Sequence, residues 1–382
     1  MYRVTLITLV VQACHMGSRV IAALFAIELG ANPFLVGALI SVYSLFPVFC
    51  AVYSGRLSDR LGTRRPMLAG MGVLGAGLLV PFFIPTLPAL YVSSALIGAG
   101  FVFFNVSNQN LAGGLGRPDQ RSRNFSTQAL GYAGGHLVGP VTAGYAIDYL
   151  GFTRGYLVFA LFMLVPVIVL VFSRALFLPP QPTTTERRST LDLLRAPALR
   201  RAVIIGGLMT TGWDLYTFYV PIYGHSIGLQ ASTIGNVLGV FAGATFVVRI
   251  ALPVFTRRFG VERVLAAALF VAAVLFLPFP LVQIVPVLFL LSFGIGLTLG
   301  CGQPLTLTLA YDNSPPGRSG EVTGLRLFIN NVTHIGVPVT AGALGAALGV
   351  AAVFWTSAAI LCLTGHLTRQ AAAATRPVMR DR

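Results

Sequence analysis

Lysine is missing from this 382-residue sequence, so all 26 of its basic residues are arginine. A Gly-rich phosphate loop closed by Lys-Ser or Lys-Thr is absent with it. No stretch outside the apolar runs is long enough to bury the core of a nucleotide-hydrolysing domain. Work done on a solute would therefore draw on an ion gradient or on the solute's own gradient. Charge of any sign is scarce, at 10% of residues, where a soluble domain carries about a quarter. Cysteine is rare too. Cys14, Cys50, Cys301 and Cys362 are scattered through apolar runs without pairing or ligand spacing, and read as small apolar fillers. No nucleophile–base pattern and no metal-ligand spacing appears, which argues against an enzyme, a cofactor or a metal site.

What fills the sequence is apolar. Hydrophobic residues make up 55% of it and the mean hydropathy is +0.81. Runs of about 20 apolar residues, the length of a bilayer-crossing helix, recur throughout. Twelve are read: near 4–29, 33–54, 67–86, 88–112, 123–147, 155–178, 201–224, 230–254, 264–281, 284–311, 321–348 and 350–368. The expected fold class is all-α integral membrane, with 12 transmembrane helices. The first run is too long for a cleaved signal peptide, and His15 and Arg19 interrupt it. The net charge of +15 would suit nucleic acid, but its distribution points elsewhere. With the amino terminus in the cytoplasm, the loop arginines fall on the cytoplasmic side and only Arg154 falls on the other. That bias fixes both termini inside. It makes the arginines topology anchors and contacts for membrane lipids, with no nucleic-acid partner.

His136-Leu-Val-Gly-Pro-Val-Thr-Ala-Gly144 returns as His334-Ile-Gly-Val-Pro-Val-Thr-Ala-Gly342, an offset of 198 residues. The same offset pairs Gly37 with Gly235, Gly62 with Gly260, Gly98 with Gly296, and Asn105 with Gln303. A duplicated half accounts for this register. The expected domains are a six-helix bundle at 1–178, a cytoplasmic linker at 179–200, a second six-helix bundle at 201–370 and a cytoplasmic tail at 371–382. The linker is the one clear shift to Pro, Thr and charge, and Ser189–Arg195 can form a short amphipathic helix within it.

Between spans 2 and 3 the chain reads Gly55-Arg-Leu-Ser-Asp59-Arg60-Leu-Gly62-Thr-Arg64-Arg65-Pro66. This resembles the cytoplasmic loop motif of the major facilitator superfamily, Gly-x-x-x-Asp-Arg-x-Gly-Arg/Lys-Arg, with Thr63 as its one departure. The resemblance implies two pseudo-symmetric six-helix bundles that rock around a midplane site, in a family that often works as monomers. It also implies a cytoplasmic gate, in which Asp59 meets the start of span 11, with Arg326 a candidate partner. The second half has Arg257 at the position of Asp59.

Polar residues inside a span face the bundle interior or a wet cavity. Thr5, Thr8, Gln12, His15 and Arg19 fall on one face of span 1 at helical spacing. Span 7 carries Thr210, Trp213, Asp214 and Thr217, span 4 Asn105 and Asn108, span 10 Gln303 and Thr306. Span 5 has Gln128, Tyr132 and His136; span 11 has Arg326, Asn330 and His334. In the resembled family spans 1, 4, 7 and 10 line the cavity, with 5 and 11 beside them. Asp214 is the carboxylate placed deep in a span. A low dielectric favours a neutral carboxyl and a nearby cation favours a charged one, so an Asp held between the two can load and release a proton. Arg19 is a candidate partner across the cavity, and histidine adds a group that titrates near neutral pH.

Span 5 also carries Gly135-x-x-x-Gly139-Pro140-x-x-Ala143-Gly144, a small-residue face that lets another helix approach. It resembles the span-5 signature of the superfamily's drug:proton antiporters, from which Ala143 and Ser126 depart. Span 4 lacks the arginine usual in such antiporters, and Arg19 is the candidate to replace it. The expected function is secondary transport of a small organic solute across a bacterial inner membrane, by proton-coupled efflux. Proton-coupled uptake of an acidic metabolite, or a non-transporting sensor of the same fold, are the alternatives.

Overall fold

Residues 1–115, 121–173, 190–314 and 319–374 are described by the computed structural model. Helices account for nearly all of them, and their ends follow local chemistry. Asn32 accepts the Leu35 N–H at 2.9 Å and Pro33 fills the first turn, so α2 starts there. The helices in order are α1 (Tyr2–Glu28), α2 (Pro33–Leu61), α3 (Arg64–Phe83), α4 (Leu87–Gly114), α5 (Arg121–Leu150), α6 (Phe152–Phe162) and α7 (Leu164–Phe172). There follow α8 (Pro197–Ser226), α9 (Ala231–Phe259), α10 (Val261–Phe276), α11 (Val285–Gly300), α12 (Gly302–Asp312), α13 (Ser319–Leu348) and α14 (Val350–Ala374).

Two of the expected spans are broken. Span 6 is α6 plus α7, interrupted at Met163, and span 10 is α11 plus α12, interrupted at Cys301. In each, a proline stands four residues after the last residue of the first helix: Pro166 after Phe162 and Pro304 after Gly300. A proline ring clashes with that carbonyl and supplies no N–H to bond it. Counted as spans, the described residues form twelve transmembrane helices. Among the described residues, nine of them are long and apolar enough to cross a membrane by composition alone. The other three, α5, α8 and α13, are 30 residues each. These are the helices that carry His136, Asp214 and His334.

Two compact units form. The first comprises Met1–Thr185 with Val220–Gly239, the second Glu186–Tyr219 with Val240–Arg382. The end of α8 and the first turns of α9 therefore pack with the first unit, although they follow the 179–200 linker in the chain. Within the first unit α1 lies on α5, and α4 lies on both α2 and α3. Within the second, α10 packs on α14 around fully buried Tyr216, Phe276, Phe279 and Phe354. The Tyr216 hydroxyl donates to Ser292 Oγ at 2.7 Å, so the one polar end of that ring is satisfied. Of the linker, residues 190–195 form a 3-10 turn rather than an α-helix. Leu193 is buried with Leu199, Val203, Ala310, Val322 and Leu325; linker residues 197–200 already belong to α8, and residues 179–189 lie outside the described residues.

Candidate transport site

Each unit holds its own polar cluster. In the first, glycine brings two helices close enough for their side chains to bond. A Cβ at Gly131 would meet the Thr5 carbonyl at 2.6 Å, one at Gly135 the Leu9 carbonyl at 2.8 Å, and one at Gly139 the Ala13 carbonyl at 2.6 Å. Down this seam Gln12 Nε2 and His136 Nε2 sit 3.1 Å apart. Helix α4 closes the third side. Asn108 donates to Thr8 Oγ1 at 2.8 Å, Gln128 donates to the Asn108 carbonyl at 3.0 Å, and the Tyr132 hydroxyl donates to Asn105 Oδ1 at 2.5 Å. His15, buried, stacks on Phe101 at a centroid distance of 4.0 Å, with Tyr43 edge-on at 5.7 Å. Arg19 lies on the same helix one turn on, within electrostatic reach of Tyr43.

In the second unit α8 and α13 run in register as a ladder. Thr210 Oγ1 donates to Asn330 Oδ1 at 3.3 Å, and one turn later His334 Nδ1 lies 2.5 Å from Asp214 Oδ2. Gly207 permits the approach, since a Cβ there would lie 3.0 Å from Ile329. Asp214 is 2% exposed whereas the His334 side chain is 31% exposed. A carboxylate this deep in a span is costly unless bonded, and the imidazole bonds it. The hydrogen bond of Asp214 thus goes to His334, a partner that the sequence pattern leaves unassigned. Trp213 packs edge-on against Phe241 at 4.8 Å, and Phe241 stacks on Tyr216 at 4.4 Å. Gln303 accepts from Arg249 at 3.4 Å. Arg326, 7% exposed, stands two turns before His334 on α13.

The duplicated histidines differ in one respect. His136 and His334 each reach the first helix of their own repeat, but His136 finds an amide and His334 a carboxylate.

The motif at 55–66, expected as a loop, forms the last turns of α2 and the first turn of α3, with only Gly62 and Thr63 between the two helices. Gly62 takes φ 76°, a left-handed conformation open to glycine, and ends α2 there. Arg64 Nη2 donates to the Val171 carbonyl at 2.6 Å, while Arg60 and Arg65 are exposed. Gly55 leaves space against Val106. The side chain of Asp59, and with it the expected contact to Arg326, lies outside the described residues. In α5 the packing glycines split between two neighbours: Gly135 and Gly139 meet α1, whereas Gly144 meets the Ala231 carbonyl and the Pro140 carbonyl meets Gly235.

A family model for the Major Facilitator Superfamily matches residues 4–338. The chain belongs to this superfamily. It is a membrane transporter, a multi-pass protein of a bacterial transporter family. Multidrug resistance protein MdtG of Klebsiella pneumoniae is 24% identical over 353 residues, covering 89% of this transporter and 85% of the relative. The protein of the same name from Salmonella typhi is also 24% identical, over 332 residues, covering 85% of this transporter and 82% of the relative. Among solved structures, a peptide transporter POT in complex with sulfate superposes with a TM-score of 0.82 at 17% identity, covering 98% of this chain and 94% of that one. A POT family transporter in complex with 5-aminolevulinic acid gives 0.79 at 15% identity, covering 98% and 96%. At these identities the structures establish the fold.

Arg249 is a charged residue inside a span that the helical stripes do not include. It is the lone charge in the apolar run 231–256, and a charge inside a span is itself a pointer to function.

Proposed function

We propose that this transporter exports a small, partly apolar compound across the bacterial inner membrane in exchange for protons, with both termini in the cytoplasm. It would work as a monomer, its two six-helix halves at 1–178 and 201–370 alternating access around the polar clusters while its loop arginines contact lipid headgroups. The observation that carries proton coupling is the Asp214–His334 pair, with the carboxylate buried and the imidazole partly open. Proton entry through His334 turns a singly negative pair into a neutral ion pair. A change of one charge inside a span is what couples protonation to a conformational change. Export is supported by the relatives named for multidrug resistance and by the Trp213–Phe241–Tyr216 aromatic group beside Asp214. A second reading, proton-coupled uptake of an acidic solute, is favoured by Arg19, Arg249 and Arg326, three guanidinium groups inside spans.

The deciding experiment is transport in inside-out and right-side-out proteoliposomes with an imposed pH gradient and a solute panel. Proton-linked movement of a lipophilic cation or neutral drug in the efflux direction is the expected result. Proton-linked accumulation of organic acids would instead establish uptake. Asp214→Asn is expected to abolish gradient-driven transport while sparing solute exchange, and undiminished active transport by that variant would remove the pair as the coupling site.

A further inference from the structure

Asp148 lies in the last turn of α5. Its two carboxylate oxygens accept the Ala231 N–H at 3.1 Å and the Ser232 N–H at 2.8 Å. Those are the first N–H groups of α9, which have no partner inside the helix and sit at the positive end of its dipole. Along the helices from this cap the backbones touch. A Cβ at Gly144 would strike the Ala231 carbonyl, one at Gly235 the Pro140 carbonyl, and one at Gly239 the Val141 side chain. Asn236 donates to the Tyr145 hydroxyl at 3.3 Å. All of these residues belong to the first unit. The seam is a polar clamp set over a close small-residue contact.

The sequence at this clamp repeats the gate motif. Asp148-Tyr-Leu150-Gly151-Phe-Thr-Arg154 matches Asp59-Arg-Leu61-Gly62-Thr-Arg-Arg65 at four of seven positions. The backbone repeats as well: Gly151 has φ 82° and ψ 171°, Gly62 φ 76° and ψ 170°. Each glycine ends a long helix and opens the next. The third such glycine, Gly260 at φ 83°, has Arg257 three residues before it, and the fourth, Gly349 at φ 83°, has Ala346. Of these four glycines, Gly62 on α2 and Gly151 on α5 have a carboxylate three residues before them. Counting spans, α2 ends on the membrane face that holds the amino terminus, and α5 ends on the opposite face.

We propose that Asp148 is a gating residue for that opposite face, the counterpart of the 55–66 motif. By capping α9 it holds α5 and α9 together, and its release is the step that lets this face open in the transport cycle. It positions helices and does not contact the solute. Beneath it the seam holds small and apolar residues and one longer hydrogen bond, Asn236 to Tyr145, so the carboxylate is the main polar tie that distinguishes the closed arrangement from one in which water takes the α9 N–H groups. This inference rests on the chain being an alternating-access transporter. It does not depend on which ion couples or which way the solute moves.

The test uses the full-length protein with its four cysteines replaced, reconstituted in nanodiscs. Spin labels are placed at Tyr149→Cys and Gln230→Cys, both exposed positions flanking the clamp. Double electron–electron resonance then reads the distance across it. Asp148→Ala is expected to raise the long-distance population about 5–10-fold, the effect of losing an N-cap, and Asp148→Asn, which keeps one acceptor, by less. An unchanged distance distribution in folded Asp148→Ala overturns the proposal. Should Asp148→Ala not fold, Asp148→Asn and the second readout decide. In that readout the same two cysteines are cross-linked: transport is expected to stop and to return on reduction, and continued transport by the cross-linked protein overturns the gate. A wrong assignment of the coupling ion or direction would change neither distance nor cross-link result, so the two failures are separable.

Discussion

Asp214 and His334 show how one residue changes the meaning of a repeat. His136 and His334 occupy matched positions, yet the first bonds Gln12 and the second a buried carboxylate. Replacing His136 with Gln keeps a hydrogen-bonding group beside Gln12, so His136→Gln is expected to retain gradient-driven transport. His334→Gln removes the imidazole that bonds Asp214, and its active transport is expected to fall to the level of Asp214→Asn while exchange persists. His334→Ala goes further and leaves the Asp214 oxygen without its bond, at a cost of about 1–3 kcal/mol. Thermal unfolding followed by Trp fluorescence in detergent checks the difference between the Gln and Ala variants. Equal transport in His136→Gln and His334→Gln would show that the asymmetry carries no function.

At the scale of the helix, α5 is organised by its glycines. Its Gly131, Gly135 and Gly139 face the α1 backbone, and Gly144 faces α9. A methyl group at Gly139 would sit 2.6 Å from the Ala13 carbonyl, and neither backbone can yield without moving the whole helix. Gly139→Ala is therefore expected to destabilise the protein by about 1–3 kcal/mol, as overpacking does. A methyl group at Gly72, on α3, would meet nothing within 4 Å, and Gly72→Ala is expected to be neutral or to stabilise by about 0.4–1 kcal/mol. Size-exclusion profiles after heating separate the two outcomes; a Gly139→Ala variant as heat-resistant as Gly72→Ala would remove the packing argument. The glycine spacing of this seam was legible in the sequence because small residues four apart define a helix face. The identity of the partner was not, because i and i+4 spacing says which face is flat and nothing about which helix lies on it.

For the whole molecule, the membrane fold followed from hydropathy, with nine of the spans among the described residues apolar enough to stand on composition alone. The breaks at Met163 and Cys301 each lie just before a proline, but Pro47, Pro140, Pro221, Pro253 and Pro338 stand inside unbroken helices, so proline alone did not make the breaks legible. Gating is expected to depend on two carboxylates on opposite membrane faces. Asp59→Asn should loosen the face that carries the amino terminus and raise maleimide labelling of a cysteine introduced at Gln109, an exposed position on α4, several-fold. Labelling that stays at the level of the parent protein would count against Asp59 as a gate.

By itself the sequence determined what the bilayer demands: the number and length of apolar helices, the uneven placement of arginine, the motif at 55–66 and the set of polar residues too costly to leave facing lipid. Those are properties of single residues and their neighbours along the chain, set by desolvation and backbone hydrogen bonding. Only the tertiary structure decided which of those polar groups meet. That Asp214 takes His334, that Arg249 reaches Gln303 and that Asp148 caps α9 depend on residues 120, 54 and 83 positions apart. Side-chain bonds of a few ångströms are fixed by how helices pack, and the small residues that govern the packing mark a surface without naming what it touches.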